Sequence, residues 1–282
     1  MSKALLEVLQ STTAYFQKHG VESARLNAEH LLAHALGCKR LDLYMQFDRP
    51  LGEPELEPLR EQVKKRAQGV PLQHLLGTSE FFGRTFASDA RALIPRPETE
   101  QLIELILKFK AEIATSSILD VGVGSGVIAL TLAAELPQAN IQAVDISPEA
   151  LALARENAQR LSLGERVHFL QSDLFEKLAE EKFDLIVANL PYIARGAIPT
   201  LAREVQHDPR AALDGGENGD EILLRLIVDA TTHFRPGGRI ALEIGHDQSA
   251  RLADALARNG YHDIESKNDH QGAARFLLAK YG

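Results

Sequence analysis

Hydrophobic residues recur at helical spacing through the first seventy positions. The first predicted helix extends from an N-cap at Ser2 to a stop at Gly20, and its apolar face comprises Leu5, Leu6, Leu9 and Phe16. A second helix, whose inward positions are Leu26, His30, Leu31 and Leu36, ends at Gly37. A third helix ends at Gly69, and its apolar positions are Leu56, Leu59 and Val63. Strand-type alternation is missing from this part of the sequence, so we predict a small helical domain over residues 1–70.

The pattern changes between residues 71 and 97. Two short aromatic runs, Phe81-Phe82-Gly83 and Arg84-Thr85-Phe86, predict a β-hairpin that connects two domains. Pro97 suits the first position of the helix that follows, because a proline needs no hydrogen-bond partner for its nitrogen there.

Short β-branched runs alternate with helical runs from Ser116 onwards. This alternation predicts an α/β fold with an open, mainly parallel, Rossmann-like sheet of seven strands over residues 98–282. The seven predicted strands are Ile118–Val121, Ile141–Val144, Val167–Leu170, Leu185–Ala188, Arg239–Ile244, His262–Ser266 and Arg275–Ala279.

Composition narrows the class of protein. Hydrophobic residues make up 45% and charged residues 25%, which is typical of a globular protein and excludes general disorder. The net charge is -8. Residues 1–70 carry ten basic and nine acidic side chains, so the acidic excess lies in residues 71–282. An acidic surface argues against a protein that binds nucleic acid through its phosphates. The single cysteine, Cys38, and histidines without ligand spacing predict no metal site. We expect a cytoplasmic protein without a signal peptide or membrane span.

A glycine-rich loop follows the first strand of the predicted sheet. Gly122, Gly124 and Gly126 allow a tight turn and a close approach of backbone to ligand, and a helix over Val127–Glu135 begins at once. Asp145 ends the next strand about 20 residues later, where a carboxylate can accept hydrogen bonds from both hydroxyls of a ribose.

Two ligands fit this loop. Gly124-Ser125-Gly126-Val127-Ile128-Ala129 matches the dinucleotide fingerprint and would predict NAD. The overlapping segment from Asp120 to Gly126 is similar to the cofactor loop of class I S-adenosylmethionine-dependent methyltransferases. Asp173, after the third strand, favours the second ligand, because those enzymes place an acid or amide near the adenine amino group; a helix N-cap is the simpler alternative.

Asn189-Leu190-Pro191-Tyr192 follows the fourth strand, at the edge where open α/β sheets bind ligands. The Asn189 oxygen and the Leu190 carbonyl can accept the two hydrogens of a planar NH₂ group, and Tyr192 offers a flat face. Pro191 holds Leu190 extended, which fixes the direction of that carbonyl. The tetrapeptide therefore predicts methylation of a planar nitrogen by positioning, although a capped turn is the plain alternative.

Several segments together resemble the release-factor glutamine N5-methyltransferases, the HemK/PrmC family, over nearly the whole chain. They are Pro71-Leu72-Gln73-His74 with Gly77, Ile94-Pro95-Arg96-Pro97-Glu98-Thr99-Glu100, the Asp120–Gly126 loop, Asn189–Tyr192, Asp208-Pro209-Arg210, Glu243-Ile244-Gly245 with Gln248, and residues 269–275.

The resemblance implies a class I methyltransferase that moves a methyl group from S-adenosyl-L-methionine to the glutamine side chain of the Gly-Gly-Gln motif in class I peptide chain release factors. It implies cofactor contacts at Gly122, Val123, Gly124, Ser125, Gly126, Asp145, Asp173, Leu174 and Asn189. It also implies that Asn189, Leu190, Pro191 and Tyr192 bind the target glutamine and carry the catalysis. The helical domain would help to dock the release factor, and we expect a monomer that binds no nucleic acid directly.

The chain departs from the family at two positions and leaves other functions open. Leu190 stands where the family usually has proline, and Val123 where threonine is common. Asn-Leu-Pro-Tyr also resembles the rRNA adenine dimethyltransferases, so an adenine N6-methyltransferase of RNA or DNA is the main alternative. An NAD dehydrogenase and a non-catalytic binding module are the others. Gly215, Gly216 and Gly219 further suggest a mobile loop.

Overall fold

The computed structural model describes residues 3–282, so the proposed cap at Ser2 lies outside the described residues. The helices are α1 Leu5–Lys18, α2 Ala24–Ala35, α3 Glu53–Ala67, α4 Leu72–Leu76, α5 Pro97–Leu107, α6 Lys110–Ile113, α7 Val127–Glu135, α8 Pro148–Arg160, α9 Glu221–Ala230 and α10 Ser249–Arg258. The strands are β1 Lys3–Ala4, β2 Pro50–Leu51, β3 Thr78–Phe81, β4 Arg84–Ala87, β5 Ser117–Val121, β6 Asn140–Asp145, β7 Val167–Gln171, β8 Phe183–Asn189, β9 Phe234–Glu243, β10 Tyr261–Asn268 and β11 Ala274–Tyr281.

A seven-stranded sheet forms the centre of the larger part of the chain. Its strand order is β10-β11-β9-β8-β5-β6-β7, and the five strands from β9 to β7 are parallel while β11 and β10 pair antiparallel. The predicted α/β fold with an open Rossmann-like sheet is therefore confirmed, and each predicted strand has a counterpart.

Side chains of the central strands alternate between two hydrophobic layers. Leu185 and Val187 of β8 belong to the layer beneath α5, α7 and α8, whereas Ile186 and Ala188 belong to the layer beneath α9 and α10. This period of two is what a strand buried on both faces requires. The carboxyl ends of β5, β6, β7 and β8 therefore converge at one edge, where the functional residues are concentrated.

The chain divides into two compact units. One contains the residues up to Thr78 together with Ala202–His207, and the other contains Ser79–Leu201 and Asp208–Gly282. The first unit has its own hydrophobic core, in which Phe16, Leu31 and Leu43 are fully buried. Within the described chain, no helix has both the length and the apolar character needed to cross a bilayer.

Three details of the first unit and the connector differ from the sequence prediction. Lys3–Ala4 and Pro50–Leu51 pair as short strands, although no strand was predicted here. Leu26 was predicted to face inward, but 43% of it is exposed, because α2 turns its neighbouring face to the core. A short helix over Leu72–Leu76 precedes the hairpin, which does form at the predicted aromatic runs.

Candidate functional site

The glycine loop connects β5 to α7 at the carboxyl edge of the sheet. The backbone of Gly122 has φ +79°, a conformation that disfavours any residue with a Cβ, and a Cβ there would lie 2.6 Å from Leu190 Cδ2. The amides of Gly122 and Val123 both donate to the Val144 carbonyl, at 2.8 and 3.0 Å. The loop is thus tied to β6 and keeps its backbone close to the neighbouring Leu190.

Asp145 organises this loop from the end of β6. One carboxylate oxygen accepts a hydrogen bond from the Gly124 amide and the other from the Ser147 amide, both at 2.9 Å. Burial raises the pKa of Asp145, and these backbone donors oppose the shift. Each oxygen keeps a further lone pair, so the carboxylate can still accept hydrogen bonds from a ligand in the adjoining cavity.

Asp173 and Leu174 follow β7 on the other side of Asp145. Leu174 is buried and has φ +44°, and the Asp173 carboxylate accepts a hydrogen bond from the Arg225 guanidinium of α9. Asp173 therefore does not cap a helix, because turns follow it. Together with the exposed side chain of Ile146, these residues form one wall of the cavity.

Asn189 is the last residue of β8 and is paired in register with Glu243 of β9. Its side-chain nitrogen donates to Thr99 Oγ1 at 3.0 Å, and the Thr99 hydroxyl donates to Glu243 Oε2 at 2.7 Å. Burial raises the pKa of Glu243 to about 7, while the Thr99 hydroxyl and the Arg275 guanidinium act in the opposite direction. The NH₂ end of the Asn189 side chain is thus held by hydrogen bonding to the buried residues Thr99 and Glu243.

Tyr192 is placed differently from the other three residues of its tetrapeptide. Its backbone carbonyl accepts a hydrogen bond from Gln248 Nε2 at 2.9 Å, and the Arg275 guanidinium lies 5.8 Å from its ring centre. Burial and the nearby Glu243 raise the pKa of Tyr192 to about 12, so its hydroxyl stays protonated at neutral pH. The ring packs against the hydrophobic layer beneath α9 and α10.

The glycine segment Leu213–Gly219 lies against the backbone that follows β8. The Ile193 amide donates to the Leu213 carbonyl at 3.1 Å, and the Gly215 amide donates to the Ile193 carbonyl at 2.9 Å. A Cβ at Gly215 would lie 2.7 Å from the Pro191 carbonyl oxygen. The segment is thus hydrogen-bonded to Ile193, directly after Asn189–Tyr192, and we call Leu213–Gly219 the strap; the mobility expected of its glycines stays a prediction.

Arg96 and Asp208 form an ion pair beside this site. Arg96 Nη2 lies 2.6 Å from Asp208 Oδ2, and the Ile94 amide donates to Asp208 Oδ1 at 3.2 Å. The Asp208 side chain is fully buried. Two segments that the sequence singled out separately are therefore joined, and Asp208 braces the chain before α5.

One cavity of about 310 Å³ lies at this edge of the sheet. Of the predicted site residues it is lined by Gly122, Gly124, Asp145, Asp173, Leu174, Asn189, Leu190 and Pro191. Among the described residues, Val123, Ser125, Gly126 and Tyr192 do not belong to its lining. Val123 and Ser125 are loop residues with buried side chains, and Gly126 is the residue directly before α7.

Other residues of the site received no role from the sequence. Arg91–Leu93, Pro209, Ala211, Ala212 and Arg225 also line the cavity. Thr99 and Glu243 support Asn189 from behind, although both stand in segments that carry the family resemblance. That resemblance marked the segments, but no spacing rule pairs residues that lie 144 positions apart.

A sheet of this order with a glycine loop and an acid at neighbouring strand ends is typical of Rossmann-like methyltransferases. Residues 99–218 match the family described as "Methyltransferase small domain" and residues 7–77 match the "PrmC N-terminal domain". The fold agrees with a solved methyltransferase from Pyrococcus furiosus, with a TM-score of 0.53 at 20% identity over 71% of this chain and 90% of the other. The 16S rRNA N2 G1207 methyltransferase of T. thermophilus, solved with AdoMet and guanosine, gives 0.52 at 19% identity over 73% and 50%.

Curated relatives are similar over almost the full length. The release factor glutamine methyltransferase of Geobacter sulfurreducens is 41% identical over 98% of this chain and 96% of its own. Those of Rhodopirellula baltica and Deinococcus radiodurans are 40% and 39% identical, over 97% and 98% of this chain and 95% and 98% of theirs. The chain therefore belongs to the release factor glutamine methyltransferase family, and it is a methyltransferase. This membership decides against the NAD dehydrogenase and the non-catalytic module.

Proposed function

We propose that this enzyme transfers a methyl group from S-adenosyl-L-methionine to the side-chain amide nitrogen of the glutamine in the Gly-Gly-Gln motif of class I peptide chain release factors. The observation that carries the proposal is the state of Asn189. Its nitrogen is engaged by Thr99, while its oxygen has no hydrogen-bond donor among residues 3–282 and the residue lines the cavity. A free amide oxygen at a ligand cavity is the acceptor that a planar NH₂ group needs.

The cavity fits S-adenosyl-L-methionine in size and in polar groups. Its volume of about 310 Å³ falls within the range of small-molecule sites, and its walls are mostly apolar. Gly122 and Gly124 leave the loop backbone open to the methionine part, Asp145 can accept the ribose hydroxyls, and the wall of Asp173 and Leu174 suits adenine. When bound, the cofactor supplies an electrophilic methyl group on sulfur.

The acceptor amide is held by two oxygens. An amide nitrogen is a weak nucleophile because its lone pair is delocalised into the carbonyl group. The Asn189 oxygen and the Leu190 carbonyl can each accept one of its hydrogens, which fixes the nitrogen at the cavity. The enzyme then contributes orientation and hydrogen bonding. As the nitrogen bonded to the methyl carbon, the carbon–sulfur bond would break with its electron pair left on sulfur, and the nitrogen would release one proton to solvent.

The remaining parts of the proposal concern partners and location. The helical unit contributes to docking of the release factor, and the enzyme acts as a monomer without binding nucleic acid directly. Release factors act at ribosomes, so we place the reaction in the cytoplasm. A net charge of -8 supports a protein substrate over a nucleic acid, because phosphate binding needs basic surface.

Mass spectrometry of the release factor tests the reaction. After incubation with S-adenosyl-L-methionine, the peptide that contains Gly-Gly-Gln should gain one methylene group on the glutamine. A parallel incubation with bulk RNA and DNA and a methyl-labelled cofactor tests the adenine N6 alternative. Label in nucleic acid together with an unmodified glutamine would overturn the proposal.

Replacement of Asn189 by alanine tests the residue that carries the proposal. Asn189→Ala should abolish detectable transfer, because one of the two acceptors for the NH₂ group is removed. Its affinity for S-adenosyl-L-methionine, measured by calorimetry, should stay within about twofold of the wild type, because the main cofactor contacts lie elsewhere. Wild-type turnover in this variant would exclude Asn189 from the reaction.

A further inference from the structure

The hydroxyl of Thr99 has a single hydrogen to give. It lies 2.7 Å from Glu243 Oε2 and 3.0 Å from the side-chain nitrogen of Asn189. An ionised carboxylate can only accept, so the Thr99 hydrogen is directed at Glu243. The Thr99 oxygen is then left as an acceptor, and only the NH₂ end of the Asn189 amide can meet it.

The opposite orientation, with the Asn189 oxygen towards Thr99, requires one more proton on Glu243. With its oxygen towards Thr99, the hydroxyl would have two acceptors and one hydrogen, unless Glu243 were protonated and donated to it. The ionised form of Glu243 therefore selects the orientation in which the Asn189 oxygen faces the cavity. The neutral form permits both orientations.

The three hydrogen-bonded residues Asn189, Thr99 and Glu243 are held in place by the fold. Thr99 is 2% exposed on α5, and Glu243 is 1% exposed at the end of β9. Asn189 and Glu243 are paired in register on adjacent strands. The half-buried amide of Asn189 thus meets two buried, well-packed partners on one side and the cavity on the other, so hydrogen bonding controls its rotation.

We propose that Glu243, acting through Thr99 and through its own contact with the Asn189 side chain, is a positioning residue that turns the acceptor oxygen of Asn189 towards the methyl-accepting amide. The inference rests on the proposed function, in which that oxygen binds the target NH₂ group. Neither Glu243 nor Thr99 touches the substrate in this scheme.

Other charged groups face Glu243 and set the pH at which it ionises. The Thr99 hydroxyl, Arg275 from β11 and the Asn189 side chain itself favour the charged form, whereas Glu98 from α5 disfavours it. The hydroxyl of Tyr192 also faces Glu243 and stays protonated at neutral pH. Burial is the largest influence and raises the pKa of Glu243 to about 7. Methyl transfer should accordingly increase as the pH rises through this value.

We call the hydrogen-bonded series Glu243–Thr99–Asn189 the relay. Kinetics of three variants test it. Thr99→Val, which keeps the shape and removes the hydroxyl, should lower kcat about tenfold or more while the cofactor Kd changes less than twofold. Thr99→Ser should restore kcat to within about threefold of the wild type, since the hydroxyl returns. Glu243→Gln should remove the acidic limb of the kcat/KM profile, because its side chain does not ionise.

Thr131→Val is the matched control. Thr131 is also fully buried, but it lies on α7 and has no part in this chain of hydrogen bonds. A loss of kcat in Thr131→Val equal to that in Thr99→Val would assign the effect to general packing. Unchanged kcat in Thr99→Val, or an acidic limb that survives in Glu243→Gln, would overturn the proposal.

Nuclear magnetic resonance provides a test that needs no activity. The side-chain NH₂ resonances of Asn189, assigned by their loss in Asn189→Ala, should shift with an apparent pKa near 7 in the wild type and stay constant in Glu243→Gln. A titration that persists in Glu243→Gln would refute the relay. If the wild type shows this titration but does not methylate release factors, the relay stands and the proposed substrate fails.

Discussion

Asp145 has two tasks at one side chain. Its carboxylate binds the amides of Gly124 and Ser147, and it remains available to the cavity. The sequence predicted only the second task. A substitution should therefore affect both the loop and the cofactor, and a conservative one is needed to keep the loop folded.

Asp145→Asn should weaken the binding of S-adenosyl-L-methionine by about 1.5–3 kcal/mol, because an amide offers one acceptor oxygen and no charge. Calorimetry of the purified variant measures this loss. Asp184→Asn is the control, since Asp184 also accepts a backbone amide, from Ser117, but at the opposite end of the sheet. Equal affinities in Asp145→Asn and the wild type would place the ribose elsewhere.

Glu243 should make the protein less stable as the pH rises. Its pKa is about 7 in the folded chain and 4.5 in the unfolded one, so the folded state binds more protons between these values. The stabilisation is fully present below pH 4.5 and is lost as the pH rises through 7, in total roughly 3 kcal/mol.

Urea unfolding between pH 5 and pH 8, in steps of about one unit, checks this pH dependence. Buried Asp120, whose pKa is also raised to about 7, contributes in the same direction, so the difference between the wild type and Glu243→Gln isolates Glu243. The curve of Glu243→Gln should be the flatter one. Parallel curves would show that Glu243 has an ordinary pKa in the folded state.

The strap Leu213–Gly219 supports the proposed acceptor site. It contacts the backbone of Pro191 and Ile193 through hydrogen bonds and close approach. These contacts hold the segment that carries the Leu190 carbonyl. The geometry of the acceptor therefore depends on glycines about 25 residues away in sequence.

Gly215→Ala should displace the strap, since its Cβ would lie 2.2 Å from the Gly219 carbonyl oxygen and 2.7 Å from that of Pro191. We expect a loss of about 1–3 kcal/mol in stability and of about tenfold or more in kcat. Gly164→Ala is the control, because a Cβ there meets nothing within 4 Å. Thermal unfolding and methyl transfer measure the two effects, and wild-type values for Gly215→Ala would contradict the role of the strap.

The seven strands and most helices could be predicted because their signals are local. β-branched runs mark strands buried on both faces, and Val127–Glu135 was predicted with its observed bounds. β9 was predicted to begin at Arg239, but it begins at Phe234, across Pro236 and two glycines that lower the strand signal. Phe234 pairs with Phe183 of β8, and residues 235–238 fall in the register shift before Arg239 pairs with Leu185; such long-range pairing is not visible in the sequence.

The candidate site divides in the same way. The half proposed to bind the cofactor lies within short segments after β5, β6 and β7, so spacing could single out Gly122 and Asp145, and likeness to methyltransferases added Asp173. The support of Asn189 comes from α5 and β9, which only the fold brings to β8. Helical spacing also could not decide which face of α2 is exposed, and Leu26 was misplaced for that reason.

Within the first unit, a buried cation links segments that are far apart in the chain. Arg66 of α3 donates to Asn27 Oδ1 at 2.7 Å and to Glu204 Oε1 at 2.5 Å, and its side chain is 4% exposed. Glu204 belongs to Ala202–His207, which returns to this unit from far along the chain. Arg66 therefore fastens a distant segment to the helical core.

Arg66→Met should destabilise the protein by about 1–3 kcal/mol, because buried Asn27 loses its partner. Arg60→Met, on the same helix, is the control: its ion pair with Glu53 is exposed, and such pairs contribute about 0–1 kcal/mol. Urea unfolding of the two full-length variants measures the difference. Equal stabilities would show that the Arg66 contacts add nothing beyond those of a surface pair.

The buried carboxyl of Glu243 has a consequence for engineering. Selection for heat resistance at alkaline pH should favour Glu243→Gln, since a neutral amide avoids the desolvation that the carboxylate suffers there. The same exchange would leave the Asn189 side-chain amide free to rotate, so that its oxygen would no longer always face the cavity. Variants selected for stability alone would then have a lower kcat. A directed-evolution experiment for thermal stability should therefore measure kcat in every round of selection.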